Sequence, residues 1–241
     1  MTTSIVISTY NRNAQLAQTL ASIARQQPAL LFPLEVIVVD DGDLSHGHPP
    51  AALVCQTFGA RCLPCRRPAS SQFRNPSLPN NLGIRAASGD VVILQNAECR
   101  HEDPEAISKL TAMVTPSSAA FAHVVALNQD GSLLMDYCSP QNPRPYFFCG
   151  AIRREWLVRL RGFDQDYWGA GYDDDDLALR LHCEGVQFVY SDVKVVHQWH
   201  PPAGDYSSAP QMAALFEEKC GAMQRGELGT VRNPEGWGGG A

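Results

Sequence analysis

The stretches SIVISTYNR (residues 4–12) and LEVIVVDDG (residues 34–42) decide the fold. Each is a run of β-branched apolar residues that stops abruptly at polar ones. Consecutive apolar positions bury both faces of a strand, which is the pattern of a parallel sheet covered on both sides. Between the two runs, Asn11 opens a helical stretch with Leu16, Leu20 and Ile23 on one face, ending near Pro28. A second helix over Asn80–Ser88 leads into a third buried run, VVIL (residues 91–94). Strands alternating with helices predict an α/β fold with a mostly parallel, doubly wound sheet and helices on both faces.

Further along the chain the pattern changes. Phe121–Leu127 and Leu133–Tyr137 flank Asn128-Gln129-Asp130-Gly131, which predicts a hairpin. Asp173–Glu184 reads as a helix stopped by Gly185, followed by strands at Val186–Tyr190 and Val193–Val196 and a last helix over Pro210–Gln224. With no repeat and no linker, residues 1–225 form one domain with halves at 1–100 and 101–225. The Gly-rich tail, residues 226–241, is expected to be a mobile end or a flap.

The chain of 241 residues, 44% hydrophobic and 18% charged, can bury a full enzyme core. A formal charge of -6 argues against a nucleic-acid partner, although Arg61, Arg66, Arg67, Arg74 and Arg85 make a local basic stretch suited to a diphosphate. No window has the roughly eighteen apolar residues of a membrane span, and polar residues from Thr9 onward break any secretory signal, so the expected location is the cytoplasm. The eight cysteines are scattered through a chain too long to need staples, which predicts buried thiols. Cys62 and Cys65 form a lone CxxC without a second pair.

In an open α/β sheet, ligands sit beyond the carboxyl ends of the strands. Polar groups gather there: Thr9-Tyr10-Asn11-Arg12, Asp40-Asp41, and Gln95-Asn96-Ala97-Glu98. Asp173-Asp174-Asp175-Asp176 is the most informative feature. Four adjacent carboxylates repel one another, and charge at a helix start accounts for only one or two of them. Trp168 offers a flat apolar face, while Gly169 and Gly171 let the surrounding loop approach closely.

S-T-Y-N-R, V-V-D-D-G, N-x-G-I-R-x-A-S-G-D and VVILQNAE occur here in the order and spacing of family 2 glycosyltransferases of GT-A fold. The segment GFDQDYWGAGYDDDDL is similar to the W-G-x-G-x-[ED]-D-x-D-L element of β4-galactosyltransferases and polypeptide GalNAc-transferases. The resemblance spans about Ser4 to Pro201. It implies an inverting hexosyl transfer from a nucleotide sugar, most simply a UDP-sugar, to the hydroxyl of a saccharide or other acceptor. By it, Thr9, Tyr10, Arg12, Asp40 and Asn96 bind the donor, with Arg74 or Arg85 on its diphosphate. Asp174 becomes the general base, while Asp173, Trp168 and Gly169 hold the acceptor and Asp176 serves the fold. The family's D-x-D is replaced by Asn96-Ala97-Glu98, which leaves Glu98, with His197 or His200, to bind a divalent metal, Mn²⁺ before Mg²⁺. The alternatives are a metal-independent or decayed nucleotide-sugar-binding protein of this fold, or a nucleotidyltransferase.

Overall fold

Ile5, Val6 and Ile7 are fully buried in β1 (Thr3–Thr9), and alternate side chains leave in opposite directions. Ile5 and Ile7 join the core on one side of the sheet, and Val6 joins the core on the other. The same division holds in β2 (Leu34–Asp40), where Val36 and Val38 face one core and Ile37 and Val39 the other. A strand buried on both faces requires helices on both faces. In this computed structural model, which describes residues 1–42, 50–65, 67, 73–201 and 204–238, they are present.

One core is covered by α1 (Asn13–Ala24), α2 (Ala52–Phe58) and α4 (Ala106–Met113), the other by α3 (Ser77–Ala86), α5 (Arg154–Arg159) and α6 (Asp173–Cys183). The remaining elements are β3 (Arg61–Pro64), β4 (Val91–Asn96), β5 (Cys99–His101), β6 (Ser118–Leu127), β7 (Leu133–Cys138), β8 (Cys149–Arg153), β9 (Gln187–His197) and α7 (Ala209–Gln224). The strands form one sheet in the order β3-β2-β1-β4-β8-β6-β9-β5, with β7 paired to β6. Its first half is parallel throughout, whereas β8 runs antiparallel to both β4 and β6 and makes the second half mixed.

Two registers place the site. Thr9 lies opposite Asp40 and Ser8 opposite Asn96, so the ends of β1, β2 and β4 share one edge. At the far side, the short β5 pairs antiparallel with β9, Cys99 opposite His197, and Gln198 N–H donates to Glu98 O at 3.0 Å. That ladder brings Glu98 beside the two histidines.

The expected hairpin forms, with Gly131 N–H donating to Asn128 O. The two strands expected at Val186–Tyr190 and Val193–Val196 are one strand, β9. The polar Ser191-Asp192 is no turn, because the Ser191 hydroxyl donates to Phe121 O and the pairing with β6 shifts register there instead. The expected mobile tail is also corrected. Trp237 is 7% exposed and packs in the second core, and Asn233 donates to Arg161 O and Phe163 O, so the segment up to Gly238 is docked on the body. All eight cysteines are free thiols, and most are buried, but Cys183 at the end of α6 is exposed. Among the described residues, no helix is long and apolar enough to cross a membrane.

Candidate active site

A cleft of about 120 Å³ opens at the carboxyl edge of β1, β2 and β4. Thr9, Tyr10, Asp41, Phe73, Arg74 and Asn96 line it, with Glu98 at one end. Asp41 is held by two arginines: Arg74 Nη2 at 2.8 Å, and Arg67 through both Nε, at 2.9 Å, and Nη2. Arg74 also lies over the Tyr10 ring, 5.0 Å from its centroid. Its side chain is only 5% exposed, yet Nη1 has no hydrogen-bond partner among the described residues, and the buried Thr9 Oγ1 has none either. Buried donors and acceptors are nearly always satisfied. Two such unpaired polar atoms lie on one wall of the cleft.

At the end of the cleft, one ligand atom each of Glu98, His197 and His200 lie within 4.8 Å of one another. His200 Nδ1 is 2.8 Å from Pro201 O, which can only accept, so Nδ1 donates there, and Nε2 lies 3.6 Å from Glu98 Oε1. Burial depresses the pKa of His197, which favours the neutral imidazole that a metal needs. One carboxylate and two imidazoles therefore fit a divalent first-row cation better than Mg²⁺ or Ca²⁺, which prefer all-oxygen sites. Arg12 closes the group, donating from Nε to Glu98 at 3.2 Å and from Nη2 to Pro201 O at 2.8 Å.

The acidic run starts α6. Tyr172, in the left-handed region at φ 68°, turns the chain into the helix, so that Asp173 and Asp176, one turn apart, are buried while Asp174 and Asp175 stay partly accessible. Burial first, then the neighbouring carboxylates, pushes Asp174 well above the usual range, opposed by the Phe147 N–H it accepts. Burial likewise raises Asp173, which the Asn75 side chain opposes. Asp175 is raised by burial and steadied by Arg144. Asn75 also donates to Gly169 O at 2.9 Å. Because Asn75 follows Arg74 directly, one residue ties the cleft to the acidic helix. Gly169 is tight against α7: a Cβ there would lie 2.6 Å from Ser208 Cβ, and its N–H points at Met212 Sδ. Beside it, the Trp168 ring is 51% exposed.

Of the residues expected here, Thr9, Tyr10, Arg74 and Asn96 meet in the cleft, and Glu98, His197 and His200 form the metal-ligand trio. Three go elsewhere. The Asp40 carboxylate accepts from Gly42 N–H at 2.9 Å and Ala51 N–H at 2.8 Å, capping its own turn and α2, and Asp41 takes its place on the cleft wall. Arg12 sits on Glu98 rather than in the cleft proper. Arg85, at the other end of α3, donates to Trp237 O at 3.0 Å and stacks on its indole. That is nine residues, about 13 Å of helix rise, from Pro76 at the cleft. Asp176 serves the fold through Arg180 at 2.6 Å and Arg232 at 3.3 Å rather than through backbone bonds. Arg66 lies outside the described residues. Sequence reasoning missed Asn75, Asp41 as the inward acid, and Phe73, whose ring meets that of Tyr206 at 5.1 Å.

Comparison with known proteins adds the following. Residues 4–160 match the family described as "Glycosyl transferase family 2", and residues 130–200 match one described as "N-terminal domain of galactosyltransferase". Chondroitin synthase of Pasteurella multocida is 23% identical over 83% of this chain, but the match spans only 25% of that protein. Human beta-1,4-galactosyltransferase 3 is 28% identical over 32% of this chain and 24% of its own length. Among solved structures, a mannosyltransferase from Pyrobaculum calidifontis, in complex with GDP-Man and Mn²⁺, superposes with a TM-score of 0.60 at 19% identity, covering 92% of this chain and 64% of that one. The chain thus spans a quarter or so of these curated relatives, and the fold is that of GT-A glycosyltransferases.

Proposed function

Since this chain belongs to glycosyl transferase family 2 and is an enzyme of the transferase class, we propose that it moves a hexose from a UDP-sugar to an acceptor hydroxyl with inversion at the anomeric carbon. The observation that carries the reading is the link through Asn75. It joins a cleft with two unsatisfied polar atoms to a helix start whose carboxylates are raised towards neutrality.

In this mechanism the nucleotide lies in the cleft, its base against Tyr10 and within reach of Arg74 Nη1 and Thr9 Oγ1. Asp174 takes the proton from the acceptor hydroxyl as that oxygen attacks. A carboxylate whose pKa is raised by burial is a stronger base than one in water. Asp173, fixed by Asn75, accepts hydrogen bonds from the acceptor, and the exposed Trp168 ring gives a sugar its apolar floor. Glu98, His197 and His200 would hold a divalent metal, Mn²⁺ in preference to Mg²⁺, which supplies Lewis-acid stabilisation to the leaving diphosphate. Arg12 neutralises Glu98 and so sets the charge of that pocket. The same ion pair favours a second reading in which the guanidinium takes the cation's role and transfer needs no metal.

The test is calorimetric titration with UDP, GDP and dTDP, with and without Mn²⁺, together with hydrolysis of the matching nucleotide sugars. UDP binding strengthened by Mn²⁺ supports the first reading, and metal-independent binding supports the second. A protein that binds none of the three and hydrolyses no nucleotide sugar is no transferase of this kind.

A further inference from the structure

Asp164 and Asp176 flank the segment that carries Trp168, Gly169, Asp173 and Asp174, and both are buried. Arg232, in the C-terminal strap, reaches both acids: its Nε is 3.3 Å from Asp164 Oδ2 and its Nη2 is 3.3 Å from Asp176 Oδ1. All three side chains are at most 3% exposed. A single guanidinium therefore clasps the two ends of the acceptor segment, drawing on the planar fork that makes arginine suited to two carboxylates at once. Further bonds hold the clasp in register. Arg180 joins Asp176 to Leu160 O, Gly162 O and Thr230 O, and Asn233 Oδ1 accepts from Gln165 N–H at 3.1 Å.

We propose that Arg232 is a positioning residue for the transfer reaction, fixing the aim of Asp173 and Asp174 by closing the base of their loop from the C-terminal strap. The inference rests on the transferase reading above. A purely structural role would leave two facts without purpose. Each acid already has a second cation, Arg180 on Asp176 and Lys219 on Asp164, so neither needs Arg232 for neutrality. The clasp also spans the segment that bears the proposed base, where a displacement of about 1 Å costs on the order of 100-fold in rate. Around Asp173 and Asp174 the charged neighbours are Asp175 and Asp176 on the same helix and Arg144 beside Asp175, with the neutral Asn75 side chain opposite Asp173. Removing Arg232 leaves Asp176, whose charge acts on Asp173, less compensated, and so makes Asp173 harder to ionise.

The experiment compares the native chain with Arg232→Met and Arg232→Lys. It measures hydrolysis of the UDP-hexose that the native chain cleaves fastest, the pH profile of that rate, and calorimetric Kd for UDP. Because each acid keeps one cation, the variants should fold, and Arg232→Lys preserves the charge should Arg232→Met not. Expected are a fall in kcat of roughly 30-fold or more for Met and about 5- to 10-fold for Lys, a UDP Kd within about twofold of native because the cleft lies on β1, β2 and β4, and an acidic limb moved to higher pH. A folded variant that hydrolyses at the native rate with the native pH profile overturns the proposal, whatever its Tm. So does a loss of UDP affinity in step with the rate. If the transferase reading itself is wrong, the native chain hydrolyses nothing, which separates the two failures.

Discussion

Replacing Asp174 by Asn removes the proposed base while changing little else. The amide keeps the volume of the carboxylate, and its oxygen can still accept the Phe147 N–H. Asp174 lies on α6, whereas the nucleotide cleft is built on β1, β2 and β4, so UDP affinity should not change. Loss of a positioned general base costs about 10²- to 10⁴-fold, or roughly 2.7–5.5 kcal/mol at 1.36 kcal/mol per decade. Stability should move the other way. With its pKa raised by burial and by Asp173 and Asp175, the native carboxyl holds its proton more tightly than the unfolded chain does. Its contribution is favourable below the unfolded value of about 3.9 and is lost as pH rises through the native value. At neutral pH the raised Asp174 carboxyl is thus a cost, and Asn relieves it. The variant should melt higher than native at pH 7.5, by about 2–4 °C for each kcal/mol relieved in a chain of this size, and the gap should close near pH 4. The assays are steady-state hydrolysis or transfer, UDP titration, and calorimetric melting at the two pH values. A variant that turns over at the native rate refutes the base assignment, and one that melts no higher at pH 7.5 refutes the electrostatic account of the acidic run.

Three further substitutions probe other parts of the site. Glu98→Gln keeps the shape of the metal trio but removes its only charged ligand; Mn²⁺ affinity, read by electron paramagnetic resonance of the free ion, should fall at least about 100-fold, more than loss of an outer-shell partner costs. Arg74→Ala withdraws the unsatisfied Nη1 from the cleft, and UDP Kd should weaken by roughly 10- to 100-fold, the worth of a hydrogen bond from a charged donor. Trp237→Ala empties the strap's anchor in the second core and should lower unfolding free energy in urea by about 3–5 kcal/mol; an unchanged midpoint would mean that the tail contributes nothing to the fold.

The parallel half of the sheet was legible because burial on both faces writes consecutive apolar residues into β1, β2 and β4. Strand β8 was not, since CGAIR is short and carries Gly150, and only its place between β4 and β6 makes it a strand. In the site, Thr9, Tyr10, Asn96 and Glu98 follow directly from lying at strand ends. The choice between Asp40 and Asp41 does not, because strand alternation sends adjacent side chains to opposite faces and the phase is set by what the neighbouring amides demand. Arg74 and Arg85 look alike in sequence, yet one meets Asp41 and the other meets an indole from 152 residues away. Long-range partners of that kind leave no local signal.

The pairing of β5 with β9 also orders events in time. Gln198 and Glu98 are bonded across 100 residues, and Arg12 reaches Pro201 across 189. The residues that line the cleft end at Glu98, so all of them emerge in the first half of synthesis. Closing so long a loop is entropically expensive and comes late, so the histidines reach the carboxylate only after most of the polypeptide has emerged. On the proposed reading, a nascent chain would complete its nucleotide cleft before its cation site, and ion binding during refolding would serve as a clock for completion of the last strand.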